Sequence, residues 1–441
     1  MRRVATISLL MLTLTVVGRG QQLSVDQAVP GSSAYIDPLH GLTLDDAIAR
    51  ALAQEPSLRA TRSQIDVTRG FREQAALRPN PAVSFSQQQE PAGADNQTRI
   101  ELQWPLDLFR KTGRLGVADR EIEVARHATA NRERTLAAEV RVKYGEVVVA
   151  VRTLTVTEQL LAATSRQRAL IASRVEQGAA PPLDRDMVRV EAQRLEADRL
   201  IQIGIVDRQL VDLKRLMGLS PGTPVVLRES LEALVQQDPP VTAADDQAAV
   251  ATKRSDVQEA QARVRVSDAQ VDRAKREGKP DVSLFGMYMR MDAGFPQQGV
   301  SASGGLEPIR GVFHYVSVGA SVTLPLHNRN QGAVAAARAE RAGAAAQLDT
   351  ARLAAEGEIA AARLRDGHAR QALNTFTGDT MALARHNLDI VRQTYELGRI
   401  TLLDVLNEQR RYLDLERAYT DVLREAYQAR QALRSAQGEV R

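Results

Sequence analysis

The chain has 441 residues, a formal net charge of +4 from 58 basic and 54 acidic side chains, and only 4% aromatics. Its Ala, Arg, Gln, Glu and Leu content favours long helices with narrow apolar seams over broad globular cores, and the absence of any basic block argues against nucleic acid as a partner. The lack of cysteine excludes disulfides, thiolate metal sites, a cysteine nucleophile and a cysteine-linked lipid anchor.

Residues 1–20 read as a secretory signal peptide. Arg2 and Arg3 supply the positive start, Val4 to Val17 an apolar run too short for a comfortable membrane span, and Gly18 and Gly20 small residues for cleavage near Gln21. No later stretch is expected to reach the ~20 apolar residues of a transmembrane helix.

A first structural repeat is expected over 42–220. A short helix starts near Leu42 with Thr43 as N-cap and Asp45 and Asp46 in its first turn. A second runs from about Ser57 to Leu77, and strands follow at about 81–89 and 97–108. No proline falls between Pro105 and Pro181, so a helix from about Gly113 to Val175 would run ~90 Å at ~1.5 Å per residue. It needs partner helices to bury its seam. After a turn at Gly178–Pro182, a returning helix covers about Leu183 to Met217, and GLSPGTP (218–224) breaks it. Residues 221–247 read as a linker or equatorial segment. A second repeat, 248–441, should hold a helix at about 248–277 and strands at about 281–292 and 312–326. It continues with a long helix from Gln331 to about Glu396, a turn at Gly398 and a final helix from about Thr401 to Ala436.

The two copies align directly. RVEQGAAPPLDRDMVRVEAQRLE (174–196) matches TYELGRITLLDVLNEQRRYLDLE (394–416), pairing Gly178 with Gly398, Leu183 with Leu403 and Asp184 with Asp404. Pro105–Leu106 pairs likewise with Pro325–Leu326. NPAVSF (80–85) echoes KPDVSL (279–284) at a shorter offset, so the second copy carries a longer insertion between its strands.

Within the strands, Ile100, Leu102, Trp104, Leu106 and Leu108 share one face, opposed by Arg99, Glu101, Gln103, Pro105 and Asp107. Val316, Val318, Ala320, Val322, Leu324 and Leu326 similarly oppose Ser317, Gly319, Ser321, Thr323 and Pro325. One apolar and one small polar face over about ten residues fit a membrane β-barrel strand lining a wet lumen; by alternation alone, a soluble sheet packed on helices fits too. Four strands cannot close a barrel, and an open edge is not tolerated in lipid. The membrane reading therefore requires shared strands, and three copies would supply twelve.

The histidines show no metal-ligand spacing, and Met287, Met289 and Met291 alternate on one strand, facing lipid or lumen. With no phosphate loop or nucleophile motif, no catalytic residue, cofactor or metal site is assigned, and an enzyme finds no support.

ALRPNP (76–81), WPLDLFRKTGR (104–114) and YELGRITLLDVLNEQ (395–409) resemble the TolC-like outer-membrane efflux protein family across nearly the whole chain after residue 42. The resemblance implies an α+β homotrimer, with long helical hairpins forming a periplasmic helical barrel and four transmembrane strands per chain forming a shared 12-stranded barrel. It would sit in outer-membrane lipid as a passive duct, meeting an inner-membrane pump through a periplasmic adaptor. The branch resembled serves heavy-metal or resistance–nodulation–division type pumps. A duct for type I protein secretion or drugs is the alternative within export, and a soluble periplasmic coiled-coil scaffold or adaptor the alternative from another class.

The resemblance also places an aperture at the helical turns. Asp404 matches the first of the family's ring-forming acids, whereas Asn407 departs from the second. Tyr395 matches a tyrosine that ties the closed state, but its basic partner's position holds Ile400, with Arg399 beside it. Asp184 is the repeat-equivalent of Asp404. Read from the residues alone, Asp404 is also a first-turn acid favoured by the helix dipole, with Thr401 as cap.

Overall fold

The structure, a computed structural model, describes residues 31–91, 95–236, 247–377 and 380–440. The signal segment at 1–20 and part of the 221–247 linker lie outside the described residues.

Local chemistry sets the helix starts. Thr43 caps α1 (Leu44–Gln54), its side chain accepting from Asp46 N–H at 3.1 Å. Glu55 caps α2 (Pro56–Ala76), its carboxylate accepting from Leu58 N–H at 2.7 Å, with Pro56 at the position where a missing N–H costs nothing. Strands β1 (Ala82–Gln89) and β2 (Asn96–Pro105) follow, then α3 (Lys111–Glu176) and the returning α4 (Pro182–Leu216). Short helices α5 (Leu231–Gln236) and α6 (Gln247–Lys253) precede α7 (Ser255–Glu277), β3 (Asp281–Val300) and β4 (Leu306–Thr323). The chain ends with α8 (Gln331–Thr377), α9 (Thr380–Glu396) and α10 (Leu402–Ala436). The stretch read as one helix from Gln331 to Glu396 is thus described as α8 and α9, with residues 378–379 outside the described set.

At 66 residues α3 runs about 100 Å. It is also long and apolar enough, by length and composition, to cross a membrane, which corrects the expectation that no such stretch would follow the N-terminus. Its apolar centre is spent elsewhere: Leu136, Val140, Tyr144, Val147, Val148, Val151 and Leu154 are fully buried against α1, α4, α5 and α10. Here the main core forms, midway along the helices. Gly145 is required at this crossing, since a Cβ on it would lie 2.2 Å from the Tyr427 ring.

The carboxyl end of α10 is held by three arginines. Arg134, Arg254 and Arg141 donate to the carbonyls of Ser435 (3.2 Å), Ala436 (3.2 Å) and Glu439 (3.3 Å). Unpaired carbonyls and the negative end of the helix dipole make this a natural cation site.

The four strands form one antiparallel sheet in the order β1-β2-β3-β4. Four strand limits differ from expectation. β2 stops at Pro105 rather than 108, because proline lacks the next ladder N–H and Asp107 turns the chain at φ 46°. β4 stops at Thr323 rather than 326, leaving Leu324 and Leu326 beyond the strand around Pro325. β3 continues to Val300 and β4 begins at Leu306, past the expected 292 and 312, with a register shift between Phe295 and Gln298. That irregularity breaks the alternation on which the shorter reading relied.

Candidate channel wall and tip aperture

Register converts the strand alternation into two sheet faces. On one, the rows Val83–Leu102–Gly286–Val318 and Phe85–Ile100–Tyr288–Val316 lie beside Trp104–Leu284–Ala320 and Val282–Val322. The expected face residues Ile100, Leu102, Trp104, Val316, Val318 and Val322 all belong here, whereas Leu324 lies beyond β4. From Val282 to Tyr288 the band spans about 20 Å at ~3.4 Å per residue. It then ends abruptly in the polar row Gln87–Thr98–Arg290–His314, where the Tyr288 hydroxyl and His314 Nδ1 lie 2.8 Å apart. Among the described residues nothing covers the band: Val316 is 77% exposed and Val318 84%. Bands of this height with an aromatic-polar rim face lipid in outer-membrane barrels.

The opposite face is wetter. Its rows are Ala82–Gln103–Phe285–Gly319, Ser84–Glu101–Met287–Ser317, Ser86–Arg99–Met289–Tyr315 and Gln88–Gln97–Met291–Phe313. The Phe285 ring lies directly over Gly319, where a Cβ would meet it at 2.6 Å.

The WPLDLFRKTGR segment mounts this sheet on the helices. Arg114 bridges the buried Asp107 carboxylate (2.6 Å) and the Leu77 carbonyl at the end of α2 (3.3 Å). Arg110 pairs with Asp281 at the start of β3 (3.1 Å), and Lys279 sits over the Phe109 ring. The joint therefore fixes strand direction relative to α2, α3 and β3.

At the far end, Gly178 and Gly398 occupy left-handed backbone at φ 72° and 71°. Each closes its helix by the same pair of bonds. Gly178 and Ala179 N–H donate to Val175 and Arg174 carbonyls, as Gly398 and Arg399 do to Tyr395 and Thr394. Glycine is the residue that adopts this conformation without Cβ strain.

Between the two turns, Ile171, Val188, Tyr395, Leu402, Val405 and Leu406 form a small core. The Tyr395 hydroxyl donates to Asp184 Oδ2 at 3.3 Å, bringing together two of the expected residues from different repeats. Burial, and then the Asp184 carboxylate, push this hydroxyl above its usual pKa. The cation beside Tyr395 is Arg174, over the ring at 5.9 Å and donating to the Glu396 carbonyl at 2.9 Å. Neither Ile400, which packs on the core, nor the exposed Arg399 fills that place. Arg174 comes from the first repeat, where no local motif marks it.

Asp404 is exposed and engaged in a capping box. Its Oδ2 accepts from the Thr401 N–H (2.9 Å) and hydroxyl (2.6 Å), while its own N–H donates to Thr401 Oγ1. The Thr401 hydroxyl, then its N–H, holds this carboxyl below the usual range. Asn407 lies exposed one turn later, on the same helix face.

Over residues 47–219 and 248–439 the chain matches the family described as outer membrane efflux protein. It is 22% identical to the cobalt-zinc-cadmium resistance protein CzcC of Cupriavidus metallidurans over 88% of each chain. To the nickel-cobalt-cadmium resistance protein NccC of Alcaligenes xylosoxydans xylosoxydans it is 24% identical over 70% of this chain and 66% of that one. Its fold is similar to the crystal structure of CusC at a TM-score of 0.74 and 17% identity, covering 94% of this chain and 95% of the other.

Proposed function

The chain belongs to the outer membrane efflux protein family, whose members are outer-membrane channels of tripartite efflux systems reaching into the periplasm, and on that premise we propose that three copies share their strands in one duct for metal cations. The carrying observation is the four-stranded sheet with two open edges and an uncovered apolar face. β1 and β4 run in opposite directions, so β4 of one copy beside β1 of the next continues the up-down order around a twelve-stranded barrel. The eight residues of β1 meet only part of the eighteen of β4; the outer end of the β3–β4 hairpin then projects beyond the lipid band.

Members of the family work as trimers with a periplasmic adaptor and an inner-membrane pump, and we carry that arrangement to this chain. The wall offers passage rather than work; the pump supplies the energy. Metal cargo is supported by the likeness to CzcC and NccC, resistance proteins for cobalt, zinc, cadmium and nickel. The test has two arms. Cross-linking in detergent should give a trimer, which in planar bilayers should conduct; a monomer released without detergent overturns the duct. Deleting the gene should lower tolerance to cobalt, zinc, cadmium or nickel; unchanged tolerance to all four overturns the metal cargo.

A further inference from the structure

The wet face of the sheet carries thioethers that a passive wall does not require. Of eight methionines in the chain, three fall at Met287, Met289 and Met291, all on the β3 face opposite the apolar band. We propose that these three side chains form a ladder that binds a soft monovalent d10 cation, Cu(I) or Ag(I), between neighbouring sulfurs on the lumen side of the wall. The inference rests on reading this face as the lumen.

Strand geometry makes the ladder possible. Same-face neighbours along a strand are about 6.8 Å apart, and methionine is unbranched with three rotatable bonds. Two adjacent sulfurs can therefore turn toward one ion, and Met289 can serve either neighbour.

The surroundings suit a soft ion. The Gln97 side chain of β2 lies against Met289 Sδ along the sheet face. Phe285 precedes the ladder, and Tyr315 and Phe313 stand opposite Met289 and Met291, giving it apolar flanks. Arg99 faces Met289 and Glu101 faces Met287, one charge of each sign, so no net negative field draws in hard cations. Neutral thioether donors without charge compensation bind Cu(I) or Ag(I) by covalency and leave hydrated divalent ions in water.

The probe is silver nitrate in chloride-free buffer, titrated into the purified full-length protein in detergent and followed by calorimetry and metal analysis. Wild type should bind Ag(I) at this site. The triple variant Met287→Leu, Met289→Leu, Met291→Leu should bind roughly ten-fold or more weakly, while it still cross-links as a trimer. With 13C-methyl methionine, Ag(I) should move the resonances of these three residues and leave those of Met187 and Met217 in place. Wild type that binds no Ag(I), or a triple variant that binds it equally well, overturns the ladder. Conductance is read separately, so a failed ladder and a failed duct are told apart.

Discussion

Tyr395 on α9 and Asp184 on α4 meet hydroxyl to carboxylate at 3.3 Å, across the two repeats and just above the turns that end them. Because the tyrosine pKa is raised, this donor stays protonated through neutral pH. The contribution is present below the ordinary tyrosine value of about 10 and is lost only as pH rises through the raised one. Tyr395→Phe keeps the buried ring and its stacked Arg174 but deletes the bond, worth about 0.5–1.5 kcal/mol. In planar bilayers the variant should spend several-fold more time open; unchanged open probability would show that the tip is held by packing alone.

Asp404 is committed to Thr401 through a capping box, so its first role is to start α10. Asp404→Ala should lower the thermal midpoint and fray the tip in hydrogen exchange. The carboxyl is held below its usual pKa, so its contribution is complete above the ordinary value of about 4 and disappears as pH falls through the lowered one. Its unshared oxygen leaves room for the ring role as well. Cation selectivity unchanged in Asp404→Ala would assign the residue to capping only.

The Gly145–Tyr427 crossing predicts a coupled pair. Gly145→Ala forces a methyl into the Tyr427 ring and should cost about 1–3 kcal/mol. Tyr427→Phe keeps the ring and loses only the bond to the Arg141 carbonyl, about 1 kcal/mol. Tyr427→Leu should relieve the alanine, giving a coupling of opposite sign to the single losses. Thermal unfolding of the three variants and their doubles measures it, and strict additivity would refute the close approach.

The arginines on the carboxyl end of α10 predict a charge-dependent loss. Arg254, 3% exposed, also pairs with Asp256 (2.6 Å) and Glu358 (2.7 Å). Burial pushes the Asp256 carboxyl up, but the Arg254 hydrogen bond and the charges of Arg254 and Arg134 overcome it, leaving its pKa lowered. Arg254→Gln leaves Asp256 with only the longer Arg134 pair at 3.7 Å and should cost about 1–3 kcal/mol. In wild type this contribution is complete above the ordinary carboxyl value of about 4 and is lost only as pH falls through the lowered one, so the thermal midpoint should drop over that acid range. A midpoint in Arg254→Gln equal to wild type would mean the clasp adds nothing.

Features encoded by short-range chemistry were legible in the sequence. The Thr43 cap, the αL glycines Gly178 and Gly398 and the alternation of Ile100, Leu102 and Trp104 each follow from neighbours a few residues away. What escaped was set by register or by contacts between residues far apart in the chain. Arg174 reaches Tyr395 from the other copy, and the α10 clasp draws on Arg134, Arg141 and Arg254. The outer half of β3 carries Gly294, Pro296 and Gly299, and that of β4 Pro308 and Gly311, which obscure strand periodicity without preventing pairing.

The sheet faces give a final prediction that the cysteine-free chain makes clean, since any introduced thiol is alone. Ser317 and Val318 are neighbours on β4 whose side chains point to opposite faces, opposite Met287 and Gly286 respectively. In an assembled barrel, one should line water and the other touch acyl chains. Ser317→Cys should therefore react with a membrane-impermeant maleimide in intact trimers in lipid. Val318→Cys should react slowly there, roughly ten-fold or more below Ser317→Cys, because the thiolate that attacks is suppressed in apolar surroundings. In the unfolded chain both should label alike. Equal labelling of the two in lipid would mean the sheet is wet on both faces, and the apolar band would then need a protein partner instead of a bilayer.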